Sequence, residues 1–205
     1  SAAQDPHSFE ASARDHLAVA HADVIVANGG GYDTFVDTLV AASDTAATVV
    51  TATEVVRLAD GSNEHVWYSL SDMDLLASRL ADTFAKLDPS GAAAYHSNYE
   101  AFADGIRMLT DRAAAIAAIT DGAGVAVTEP VPLYLLEAAG LTNLTPPEFT
   151  EAIEEGNDVS PSSLLDTLDL FDSQTVALLA YNDQTASVET ERVRAAAEAA
   201  GVPVI

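Results

Sequence analysis

The apolar residues Tyr95, Tyr99, Phe102, Ile106, Leu109, Ala113 and Ile116 follow one another in steps of four and three. Only a helix with one apolar stripe satisfies that rhythm. Asp88-Pro89 marks its start, and from Pro89 to Ile119 a rise of about 1.5 Å per residue gives a rod of about 45 Å. Such a rod is longer than a small lobe is wide and is able to tie two lobes together. Two arrangements fit the stripe: packing along its own chain, or a dimeric coiled coil. It lasts only about three heptads and includes an alanine, which favours packing within the chain.

On both sides of this helix the sequence alternates short apolar runs with helical segments. Ser12 to Asp15 reads as a capped helix start leading to about His21, with Asp15 reaching back to Ser12. Asp23 to Asn28 reads as a short buried strand, and Gly29-Gly30-Gly31 turns the chain into a helix near Thr34 to Ala42. These glycines lack the spacing of a dinucleotide fingerprint or a P-loop. A second strand is expected from Ala47 to Thr51, and Ser71-Asp72-Met73-Asp74 is read as the cap of a helix reaching Leu87. After the long helix, Gly124 to Thr128 reads as a strand delivering Glu129-Pro130, followed by a helix to Gly140. Pro146-Pro147 and the acidic residues up to Asp158 read as a loop, then come a helix from Pro161, a strand from Thr175 to Tyr181 and a helix from Val188 to Ala200. Gly201 to Ile205 reads as the beginning of a buried strand. Strands separated by helices predict an α/β protein with parallel sheets flanked by helices. Its two lobes, residues 1–88 and 120–205, are joined by one long helix at 89–119. Both ends read as those of a fragment.

Composition narrows the function. Against 32 Asp and Glu stand 8 Lys and Arg, a formal charge of -24, which makes nucleic acid and anionic membrane surfaces poor partners. With 49% hydrophobic and 6% aromatic residues, the chain has a core of small side chains and is not disordered. It contains no cysteine, which removes disulfides, thiolate metal sites and thiol catalysis together. No apolar run reaches the about 18 residues that span a bilayer as a helix. The nucleophile elbow G-x-S-x-G and the zinc motif H-E-x-x-H are absent as well.

Three residues stand out as candidate ligands. Of the five histidines, His16, His21 and His96 fall on helices among polar neighbours, whereas His7 and His65 sit in loops that enter helices, each after an acidic residue. Glu129 falls at the carboxyl end of a strand, where ligands of open parallel sheets gather. A carboxylate meeting the dipole of the following helix is the other account of that position. Placed this way, His7, His65 and Glu129 are able to face one crevice between the lobes. Two imidazoles and a carboxylate suit Zn2+ or Mn2+ better than Ca2+. Asp183, after the strand ending at Tyr181, is a weaker candidate for an oxygen ligand.

In order along the chain stand Asp5-Pro6-His7-Ser8-Phe9-Glu10, Ala22 to Gly29, Glu64-His65-Val66-Trp67-Tyr68, Asp88-Pro89 with Tyr95 and Asn98, Thr128-Glu129-Pro130 with Tyr134, and Glu198 to Val204. In this order and at these intervals the sequence resembles, over its whole length, the metal-binding receptors of ABC transporters that capture zinc or manganese. The resemblance implies two α/β lobes joined by a long helix, with the metal buried between them. It also implies that His7 and His65 are ligands and that Glu129 is the third, a glutamate in manganese-type members where zinc-type members carry histidine.

The same likeness implies a monomer outside the cytoplasm, delivering its metal to an ABC permease. It places a first strand and an export signal, often with a lipid-anchored cysteine, ahead of Ser1. A fourth, acidic ligand is implied beyond Ile205. The His-rich loop of many zinc members is missing between Asp60 and Glu64. Two other functions compete: a metallohydrolase using Glu129 as general base beside a metal-bound water, and an adhesin-like interaction protein.

Overall fold

The computed structural model describes Phe9 and residues 11–205. The chain divides into two compact units, Ser1–Arg107 and Met108–Ile205.

In the first unit, helix α1 (Ala13–Ala20) is followed by strand β1 (Val24–Ala27), helix α2 (Thr34–Ala42), strand β2 (Thr48–Thr51), the short helix α3 (Ala52–Val56), a 3-10 turn at Val66–Tyr68 and helix α4 (Leu70–Leu87). Asp15 closes the start of α1 by accepting from the Ser12 backbone N–H at 2.8 Å and from its hydroxyl at 2.7 Å. These two bonds hold the Asp15 carboxyl below its usual range. The strands β1 and β2 run parallel, Ile25 beside Val49 and Val26 beside Val50. Ile25, Ala27 and Val50 enter the core, whereas Val26 and Val49 stay half-exposed, so β1 is buried on one side only.

One expectation for this unit needs correction. Helix α4 begins at Leu70 and is preceded by Ser69, whose carbonyl accepts the Met73 N–H at 3.0 Å. The expected cap, Ser71, therefore lies inside the first turn. Helix α3 carries no periodic signal in the sequence, because five residues are too few to display a helical period.

Helix α5 (Ala92–Thr120) runs for 29 residues and carries the chain from one unit into the next. Asp88 fastens its approach by accepting from the Ser90 hydroxyl and N–H and, at 3.0 Å, from the Tyr95 hydroxyl. These bonds, that from Ser90 foremost, lower the Asp88 pKa, and the bond from the Tyr95 hydroxyl to Asp88 raises that of Tyr95. The apolar stripe is split between its two rows. Ala103 and Ala113 are buried, whereas Phe102, Leu109 and Ile116 remain 45–47% exposed. The row Tyr99, Ile106 and Ala113 faces the covered side and the row Phe102, Leu109 and Ile116 faces away from it along the whole stripe.

The second unit is built around strand β3 (Gly124–Val127), with β4 (Thr142–Asn143) on one side and β5 (Val176–Ala180) on the other, all parallel. Helix α6 (Leu133–Ala138) joins β3 to β4. Helices α7 (Pro147–Glu154) and α8 (Pro161–Asp172) lead to β5, and α9 (Val188–Ala199) follows it. Strand β3 is covered on both faces. Ala126 packs in a cluster with Phe149, Ile153, Leu164, Phe171, Leu179 and Val193. Val125 and Val127 pack on the opposite side with Leu136, Ala139 and Leu141. Such two-sided burial is the rule for parallel sheets flanked by helices. Val204 bridges to Leu179 beyond β5 in parallel fashion, so the expected final strand start is present, although Ile205 is exposed.

The segment after Pro146 corrects a further expectation. The acidic stretch expected as a loop contains α7, with Pro147 in its first turn and Phe149 and Ile153 turned into the core at 0% and 7% exposure. The spacing of four between these two residues is a helical signal that the surrounding carboxylates mask. Replacing Phe149 with alanine is therefore expected to lower unfolding free energy by about 3–5 kcal/mol. Urea denaturation of wild type and variant measures it.

Candidate functional site

His7 lies outside the described residues. His65 belongs to the first unit and Glu129 to the second.

His65 is held by a loop whose parts come from three places in the first unit. Asp33, at the start of α2, accepts the backbone N–H groups of Asn28 at 2.7 Å and Gly29 at 2.8 Å. That grip folds the glycine turn after β1. Gly29 and Gly30 adopt φ of 78° and 68°, a left-handed backbone that favours glycine. Any Cβ on Gly30 would meet that of Glu64 at 2.8 Å. The Asn28 side-chain amide then donates to the Glu64 carbonyl at 3.0 Å, tying the turn to the residue preceding His65.

The imidazole itself is 2% exposed. Asn63 Oδ1 accepts both the His65 backbone N–H, at 3.1 Å, and Nδ1, at 2.6 Å. Because an oxygen that already receives a backbone N–H is an acceptor, Nδ1 must carry the proton. Anchoring one ring nitrogen in this way recurs in metal-ligating histidines, which ligate through the other. Aromatic rings complete the surroundings: Trp67 lies 4.9 Å from the imidazole and Tyr32 5.8 Å, centroid to centroid, and these two are 4.6 Å apart.

Glu129 directly follows Thr128 at the carboxyl end of β3 and is 4% exposed. The ladder continues just past the strands, where the Thr128 N–H donates to the Ala180 carbonyl at 3.0 Å and the Asn182 N–H donates to the Thr128 hydroxyl oxygen at 2.9 Å. The Asn182 side-chain amide donates to Oε2 of Glu129. Asp183, the weaker candidate, is exposed at the head of a 3-10 turn, Asp183–Thr185, and its neighbour Asn182 makes the contact with Glu129.

Sequence reasoning missed the residues around the candidates. Asn63 had a local signal, since asparagine two residues before a backbone N–H is the signature of an Asx turn. Trp67 lies within the Glu64 to Tyr68 motif, two residues from His65, whereas Tyr32 and Asn182 had no local signal, because each reaches its partner through the fold.

A family model described as zinc-uptake complex component A, periplasmic, matches residues 1–205. The manganese-binding lipoprotein MntA of Halalkalibacterium halodurans is 27% identical over 112 residues, covering 53% of this chain and 37% of that protein. The match thus spans well under half the length of that curated relative. Among solved structures, the SBP FpvC of Pseudomonas aeruginosa in complex with Ni2+ is 28% identical with a TM-score of 0.77, covering 98% of this chain and 74% of that one. FpvC has also been solved in complex with Mn2+. A mutant laminin-binding adhesin, Lmb, from Streptococcus agalactiae shares the fold at a TM-score of 0.79 and 20% identity, covering 98% of this chain and 76% of that one. With its full length matched and its two α/β units in place, the chain belongs to the zinc-uptake complex component A family.

Proposed function

We propose that this protein is an extracytoplasmic receptor that captures a divalent transition-metal cation and hands it to an ABC permease. His7, His65 and Glu129 are its proposed ligands, drawn from both units, and Zn2+ and Mn2+ are the proposed cargo. The observation that carries this reading is the buried His65, whose ring is anchored through Nδ1 to Asn63 as in metal-ligating histidines. A carboxylate buried at the end of a parallel strand supports it from the second unit. Ni2+ and Mn2+ bound to FpvC, and manganese in the name of MntA, are consistent with a cation of this class.

The chemistry required is binding and release. Imidazole and carboxylate must be deprotonated to ligate, so protons compete with the cation and affinity falls on acidification. A receptor of this kind turns over no substrate, and we read the chain as a binding protein and not as a hydrolase.

Calorimetry on metal-stripped protein tests the reading directly. Zn2+ and Mn2+ are expected to bind more tightly than micromolar, and His65→Ala to weaken binding beyond the about 10–100-fold typical of losing an outer-shell partner. Unchanged binding in His65→Ala would sink the assignment. Asn63→Ala removes only the anchor, so a loss of about 10–100-fold is expected with ligation retained. Imidazole 15N NMR on the metal-free protein should show the Nδ1–H tautomer of His65 in wild type and its loss in Asn63→Ala.

A further inference from the structure

Asn182 sits where the second unit leaves an asparagine side chain little choice. Its backbone N–H is fixed to the Thr128 hydroxyl oxygen at 2.9 Å, which sets the residue beside the end of β3. Its Oδ1 accepts the Gln184 N–H at 3.0 Å and so caps the turn Asp183–Thr185. An amide whose oxygen is committed to a backbone donor must aim its NH2 the other way. That group meets Oε2 of Glu129, itself 4% exposed. The donor is neutral, so it orients the carboxylate without cancelling its charge.

We propose that Asn182 is a positioning residue that determines how Glu129 ligates the cation and thereby tunes which metal is preferred. The proposal rests on the reading of Glu129 as a ligand. With Oε2 accepting from the amide, one of its lone pairs is committed, which biases the carboxylate towards ligation through Oε1 and against chelation through both oxygens. One-oxygen ligation suits Zn2+, which takes few ligands at short distance in a tetrahedron. Mn2+ prefers more oxygen donors in a larger shell and gains from a carboxylate free to supply two. Asn182 therefore shifts the balance towards Zn2+, against the tilt that a glutamate ligand introduces by itself.

The test compares Zn2+ and Mn2+ dissociation constants by calorimetry for wild type, Asn182→Asp, Asn182→Ala and Glu129→Gln. Asn182→Asp keeps an oxygen for the Gln184 N–H but replaces the donor facing Glu129 with an acceptor, and Asn182→Ala releases Oε2 altogether. In both, Zn2+ affinity is expected to fall about 10–100-fold, as for other outer-shell partners, and Mn2+ affinity to fall less, so that the zinc-to-manganese preference drops about tenfold. A merely structural role would weaken both metals alike, and thermal unfolding of the metal-free variants reports any loss of fold separately. If Glu129→Gln weakens binding while both Asn182 variants keep the wild-type preference within about twofold, the positioning role is overturned and the ligand reading stands. If Glu129→Gln leaves both affinities unchanged, the ligand reading falls and this proposal with it.

Discussion

A strand covered on both faces has no water to satisfy its main chain, so every N–H and C=O along it must find a partner inside the protein. In the second unit that obligation falls on β3, where Val125, Ala126 and Val127 are all fully buried. Pairing with β4 and β5 meets most of it. At the end, where the regular ladder stops, side chains take over: the Thr145 hydroxyl accepts the Val127 N–H at 2.9 Å, and Thr128 is gripped from the β5 side through Ala180 and Asn182. The position of Glu129 is a by-product of this closure. A carboxylate one residue past such a strand is placed by backbone demands before any ligand is involved.

The first unit reaches comparable definition by another route. Its two-stranded sheet leaves Val26 and Val49 half-exposed, and the anchor is a carboxylate. Asp33 collects two successive N–H groups of the glycine turn, Asn28 hands the restraint to the Glu64 carbonyl, and Asn63 passes it to both the backbone and the ring of His65. The imidazole is thus the last link of a chain of hydrogen bonds that begins at the start of α2. Its orientation depends on short polar side chains, each within reach of a backbone group.

Much of this was legible in the sequence. The helix at Thr34 to Ala42 and the strands before and after it follow from apolar periodicity and glycine punctuation, and the capping of α1 from Ser12 and Asp15. Glu129 lies at the end of the strand where the sequence places it, and both it and His65 are buried. What escaped has physical causes. Helix α7 hides its Phe149 and Ile153 among carboxylates, and of the two rows in the long stripe on α5 only the one through Ile106 and Ala113 is covered. Asn182 lies 53 residues from Glu129, and only the parallel pairing of β3 with β5 brings the two together. Partners made by topology leave no mark in local spacing.

The aromatic setting of His65 has an optical consequence. The chain contains one tryptophan, and it is Trp67, packed edge-on against the imidazole and tilted against Tyr32. Whatever intrinsic tryptophan emission this protein shows therefore originates at one ring, 4.9 Å from the histidine. Changes in that loop register in the fluorescence undiluted by any other indole, so the native chain carries its own single-site reporter and needs no label.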